Sequence, residues 1–191
     1  MEKSPDILRV IATDPSTSHM GVCLIDVNIK EDKPFDLVYV NTIHGDRVNF
    51  NVPYAFDDNG KVQSRIYGLV RAYKQIIDIF QPDFAICEDN YLGVDASAYK
   101  RLIEVVSQLK LAALEQANLS LHFVLPNLAK AIVGANFKGT KKEDVTKGIL
   151  NYPDLNVGDV DINSLDDHST DAIAIGLFMA ELIAKEYRPH K

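Results

Sequence analysis

Three acidic stations in this chain stand where chemistry is possible. Asp14 closes the apolar run "RVIAT", Glu88 closes "FAIC", and Asp171 opens the apolar run "AIAIGLF" with His168 three residues before it. Aspartate and glutamate are among the least buried residue types, so a carboxylate at the end of a core-like run needs a partner: a cap, a cation or a substrate. If the runs holding Asp14 and Glu88 are neighbouring strands, their ends lie roughly 5 Å apart. Carboxylates that close repel, and one takes up a proton unless a cation sits between them. Hard oxygen donors with one imidazole select Mg²⁺ or Mn²⁺ over zinc. Three carboxylates and an imidazole suit a two-ion phosphoryl-transfer centre, with the ions ~3.5–4 Å apart.

Each residue also has a plainer reading. Asp14 before Pro15 and Ser16 fits an Asx-turn, and Glu88 fits a solvated strand end. Asp89 competes with Glu88, but adjacent strand residues face opposite sides, so it turns outward. Asp166 or Asp167 is a natural helix N-cap, and Asp167 and Asp89 stay open as helpers of the site. His168 alone reads as an ordinary polar residue.

The elements that must position these residues follow from periodicity. Residues 7–13, 20–27 and 37–43 are short, β-branched and apolar, and read as three consecutive strands. A polar loop covers about 44–61. Ile66, Leu69, Val70, Tyr73, Ile76, Ile77 and Phe80 then recur at helical spacing, predicting a helix over 63–81 that Pro82 ends. Residues 84–87 form a fourth strand, 96–117 a second helix and 119–126 a fifth strand. A helical run opens near Pro126, a lysine-rich segment covers 138–147, and a last helix runs from about 168 to 187. In the second helix Ile103, Leu111 and Leu114 lie off the main apolar stripe, as expected of deep burial or of contact with a second subunit. The order implies a mixed sheet with helices packed on it, an α/β layered domain.

Composition bounds the rest. The chain has 191 residues, 47% hydrophobic and 25% charged, enough for one globular domain over 1–191 with a real core. No apolar run approaches the ~20 residues of a membrane span, and the N-terminus lacks a secretory pattern. Cys23 and Cys87 lie inside apolar runs and read as buried thiols, which fits an intracellular protein, in cytoplasm or nucleoid or a host cytoplasm. The net charge of −7 argues by itself against nucleic acid. The charge is segregated, however: Lys130, Lys138, Lys141, Lys142 and Lys147 face only Glu143 and Asp144 in 126–150, whereas 151–171 holds six aspartates and no Lys or Arg.

Taken together, "IATDPSTSHMGVCLID", "FAICEDNYLG", "KKEDV" and "HSTDAIAIGL" resemble, in order, the motifs of the RuvC-type Holliday-junction resolvases. Asp14, Pro15 and Gly21 match the first motif, Glu88 and Tyr91 the second, and His168, Asp171 and Ala172 the last, in its histidine-bearing form. Lys142 is the best match to the basic residue before the catalytic helix, and Lys130 a looser one. The long 44–61 loop, the extension to Lys191 and the acidic balance depart from the pattern, and divergent viral and phage-type members look closer than the bacterial housekeeping type.

The resemblance implies an RNase H-like fold, a mixed five-stranded sheet with helices on both faces. It implies a homodimer that nicks two strands of a four-way junction, leaving 5′-phosphate and 3′-hydroxyl ends. Asp14, Glu88, His168 and Asp171 would hold two Mg²⁺ ions, with Mn²⁺ as the alternative, and Lys142 would offset charge in the transition state. Lys130, Lys138, Lys141 and Lys142 would meet DNA, and Tyr91 would stack on an unpaired base. The main rival is a flap or general debranching endonuclease, or an RNA-processing relative, on the same fold. "DPSTSHMG" also resembles the first phosphate loop of actin-like ATPases, but the chain is short for two such domains. A module that binds branched nucleic acid without cutting it is the third reading.

Overall fold

The computed structural model describes residues 3–48, 58–89, 96–137 and 139–188. Three strands come first: β1 (Ile7–Pro15), β2 (His19–Asn28) and β3 (Phe35–His44). Helix α1 (Asp58–Phe80), β4 (Phe84–Glu88), α2 (Ala96–Ala117) and β5 (Leu121–Val124) follow. The chain ends with α3 (Pro126–Ile132), α4 (Lys142–Leu150), β6 (Leu155–Asn156), a 3-10 turn (Ile162–Ser164) and α5 (Asp167–Tyr187). The sheet order is β5-β4-β1-β2-β3-β6. β1, β2 and β3 form an antiparallel meander, whereas β4 and β5 join parallel on the other side of β1.

Among the described residues the sheet has six strands where five were expected. The sixth, β6, pairs only Phe35–Leu155 and Asp36–Asn156, too short to leave an alternation in the sequence. α1 starts at Asp58, so part of the expected 44–61 loop is helix. It stops at Phe80, where Gln81 takes a left-handed φ of 49° before Pro82. β5 is shorter than the expected 119–126, because Pro126 opens α3 at a position where a missing N–H costs nothing. α2 has the expected bounds. Cys23 and Cys87 are buried free thiols.

Period 2 sorts the strands between two cores. Val10 and Ala12 of β1, Cys23 and Ile25 of β2 and Ile86 of β4 pack with α3, α4 and α5. Ile11, Met20, Val22, Leu24, Ala85 and Cys87 pack with α1 and α2 on the opposite face. Asp14 and Glu88 continue the parity of Ala12 and Ile86, so both belong to the α5 face. The register is pinned at the far end of β1. There Arg9 pairs directly with Asp26, donating from Nε to Oδ1 at 2.6 Å and from Nη2 to Oδ2 at 2.7 Å. A one-residue slip would separate these buried charges and turn every β1 side chain to the wrong face.

α5 is the rigid centre of its layer. Eleven of its 21 residues are buried, and they surround the helix rather than lining one stripe. Its first turn is tied down twice. The Asp166 carboxylate accepts from Ser169 N at 2.9 Å as N-cap, and the Thr42 hydroxyl of β3 donates to the same oxygen.

Candidate active site

One end of the sheet gathers the acidic stations. The last paired residues of β1 and β4 are Thr13 and Cys87, so Asp14 and Glu88 follow side by side on adjacent parallel strands. α5 crosses above them, bringing His168 in its first turn and Asp171 one turn later on the same helical face. The approach is close because position 21 carries no side chain: a Cβ on Gly21 would lie 1.9 Å from the His168 carbonyl oxygen. Asp89 is exposed beyond the strand end, donating its N–H to the Val124 carbonyl.

The central contact is a bond of 2.6 Å between His168 Nδ1 and Asp14 Oδ2. Asp14 is 9% exposed, so its charge is largely removed from water and finds its partner in this imidazole. The hydrogen bond to Asp14 raises the His168 pKa against the opposing effect of burial. Burial, reinforced by the charges of Asp14 and Asp171, pushes Glu88 up to about 7. Burial also raises Asp171, which Lys130 opposes from 3.8 Å.

Among the described residues, lysines bring positive charge to the site. Lys130 comes from α3, and Lys142 from the first turn of α4, where it forms an ion pair with Asp167. A Cβ on Gly148 of α4 would lie 2.1 Å from the Val133 carbonyl oxygen, so α4 docks tightly against the end of α3. Lys141 N donates to Asp144 Oδ2 at 2.7 Å, closing the first turn of α4. The result is a cleft of about 280 Å³ whose walls include Asp14, Lys130, Lys142, Asp167, His168 and Asp171. Lys141 also lines it. Tyr91 and Lys138 lie outside the described residues.

Among the described residues, no three His, Cys, Asp or Glu side chains have the spacing of a formed metal site. One Asp14 oxygen is engaged by His168 and Asp171 faces Lys130, so the four donors share a face without closing a coordination sphere. Their chemistry nevertheless fits a hard divalent ion: three carboxylates, one imidazole and no thiolate. Burial comes first in raising Glu88, and the added repulsion from Asp14 and Asp171 is the part that a cation among them would relieve.

Similar architecture occurs in solved structures. T. thermophilus RuvC in complex with a Holliday junction substrate superposes with a TM-score of 0.71 at 17% identity, over 93% of this chain and 96% of that one. The chain has the RuvC fold. A second structure of Thermus thermophilus RuvC gives a TM-score of 0.68 at 17% identity, covering 96% of this chain and 100% of that one. The yeast mitochondrial Holliday junction resolvase Ydc2 gives 0.65 at 14% identity, covering 95% and 82%. No family model and no curated protein matches the sequence. This chain thus shares the α/β architecture of these structures at low sequence identity.

Sequence reasoning grouped Asp14, Glu88, His168 and Asp171, and the fold brings their elements to one end of one face. It missed three supporting contacts: Lys142 with Asp167, Thr42 with Asp166, and the ring of His19 against that of His168. The signal for the last was the serine-flanked "STSH" of the β1–β2 turn. The first two join residues 25 and 124 positions apart, which leave no local pattern.

Proposed function

We propose that this chain is a single-domain, divalent-metal-dependent endonuclease that nicks branched DNA, resolving four-way junctions by paired incisions. The observation that carries the reading is the convergence of Asp14, Asp171 and the Asp14-bonded His168 on one cleft of a RuvC fold, with Lys130 and Lys142 in its walls and Glu88 ending the adjacent strand. Solved RuvC in complex with a Holliday junction supports the substrate class by analogy of fold.

Asp14, Glu88, His168 and Asp171 would hold two ions, Mg²⁺ or Mn²⁺. When bound, such ions supply Lewis acidity at the scissile phosphate, make water more acidic and offset charge on the leaving oxygen. Asp14 acts first as a fixed anion, held by a strand that cannot shift and oriented by His168. His168, bonded to Asp14 through Nδ1, keeps the lone pair of Nε2 as its donor. Glu88 and Asp171, which repel each other and share Lys130 as a neighbouring positive charge, would be the further carboxylate donors to the ions. Lys142, exposed in the wall of the cleft, offsets the charge that develops on the phosphoryl oxygens. Lys130, Lys138, Lys141 and Lys142 neutralise backbone phosphates, which makes binding fall steeply with salt. Tyr91 stacks on a base at the branch point. The products carry 5′-phosphate and 3′-hydroxyl ends.

Paired incisions need two such sites, so the acting species is a homodimer. The exposed Ile103, Leu111 and Leu114 of α2 provide an apolar surface for it. The decisive assay incubates the protein with labelled four-way junction, flap, fork and plain duplex in Mg²⁺ and in Mn²⁺. Symmetric nicks confined to the junction are expected. Cutting of flaps and forks at equal rate would make it a general debranching nuclease, and no metal-dependent cutting of any DNA would overturn the nuclease reading.

A further inference from the structure

The β1–β2 turn is more elaborate than a strand reversal requires. Ser16 N donates to the His19 carbonyl at 2.9 Å, and Ser16 Oγ donates to the same carbonyl at 2.7 Å while accepting from His19 N at 2.9 Å. Ser18 Oγ meets His19 Nδ1 at 3.0 Å. On the far side His44, the β3 residue paired with His19 in register, places its ring against that of His19, with centroids 4.9 Å apart and planes at 85°. Gly45 N donates to the Ser18 carbonyl at 2.7 Å and ties the turn to the end of β3. The His19 ring held in this way lies parallel to the ring of His168, with centroids 5.6 Å apart and an interplanar angle of 15°.

We propose that His19 is a positioning residue, which stacks on His168 and so keeps its imidazole in the orientation that bonds Asp14. This rests on the reading of Asp14 and His168 as a working pair in the proposed site. The His168 backbone is already fixed by its approach to Gly21, and its Nδ1 by Asp14. Those contacts act on the backbone and on one ring nitrogen, and neither backs the ring face. A flat neighbour there resists rotation of the ring out of the orientation that makes the bond. His19 is only partly buried, so core filling does not account for it.

The test compares His19→Ala, His19→Leu and His19→Phe in the full chain. Long-range ¹H–¹⁵N correlation spectra of the ring nitrogens, taken without metal at alkaline pH, report the His168 tautomer. Wild-type and His19→Phe are expected to show one His168 tautomer protonated at Nδ1, because a flat ring is kept. His19→Ala and His19→Leu should show exchange-broadened or mixed signals. Junction cleavage should fall about 10-fold in the Ala and Leu variants, the scale of losing a residue that orients a ligand, with junction affinity unchanged. A single unchanged His168 tautomer in His19→Ala overturns the proposal. So does a His19→Phe that is as impaired as His19→Leu, a pair that decides the matter even if the Ala variant does not fold. The spectra need no DNA, so failure of the nuclease reading leaves them informative.

Discussion

His168 Nδ1 and Asp14 Oδ2 meet at 2.6 Å across 154 residues of chain, joining the first strand of the protein to its last helix. The bond orients both groups where β1 and β4 end together. Replacing Asp14 with Asn keeps the shape and removes the charge. Cleavage of a four-way junction should fall on the order of 100–1,000-fold, the scale of losing one charged group at a reacting centre. Junction binding by gel shift should persist. Full cutting by Asp14→Asn would remove Asp14 from the mechanism.

Gly21 is the contact that lets α5 reach the sheet. Gly21→Ala places a methyl 1.9 Å from the His168 carbonyl oxygen, a backbone group with no side chain to rotate away. Forced overpacking of this kind costs about 1–3 kcal/mol. Urea unfolding should show that loss, and junction cleavage should fall further than the folded fraction explains, because His168 moves away from Asp14. An unaltered midpoint would show that the start of α5 is pliable.

Glu88 carries a stability cost with a defined pH sign. Its carboxyl is moved from 4.5 to about 7 by burial, then by Asp14 and Asp171. Between those values the folded chain holds a proton that the unfolded chain has released, so this group's contribution to stability falls as pH rises through that window. Without metal, Glu88→Gln should be the more stable protein above neutral pH, by about 1–2 kcal/mol after allowing for solvent screening of a partly exposed group. The difference should disappear below about pH 4.5. Adding Mg²⁺ should raise the melting temperature of the wild type more than that of the variant, by mass action on the folded state. Identical pH profiles for the two proteins would refute the strain assigned to Glu88.

Lys142 is exposed and its ion pair with Asp167 is solvent-screened. Lys142→Gln should therefore leave the unfolding midpoint unchanged. The cleavage rate of bound junction should fall about 10–100-fold if the ammonium offsets transition-state charge. A change confined to affinity, with the rate at saturating protein intact, would make it a phosphate anchor only.

The apolar side chains of α2 test the dimer. Charged replacements at Leu111 and Leu114, which are 47% and 53% exposed, should turn a sedimenting dimer into a folded monomer. They should also replace paired incisions by single nicks. A wild type that sediments as a monomer on junction DNA would remove the dimer from the mechanism.

The sequence by itself determined the local elements and the chemistry they carry. Short β-branched apolar runs marked β1, β2 and β4, the 3.6-residue period gave the bounds of α2, and Asp14 and Glu88 stood out as carboxylates at the ends of such runs. These signals are local, so they survive in a chain whose sequence matches no family model. Tertiary structure alone decided which residues meet. The order β5-β4-β1-β2-β3-β6 made strands one and four neighbours, and the missing side chain at Gly21 let His168 descend onto Asp14. The turn at Ser16 and Ser18 brought His19 against His168, and β6 and the Lys142–Asp167 pair left no periodic trace. Such contacts join groups far apart along the chain. Their geometry follows from how whole layers pack, which no window of neighbouring residues encodes.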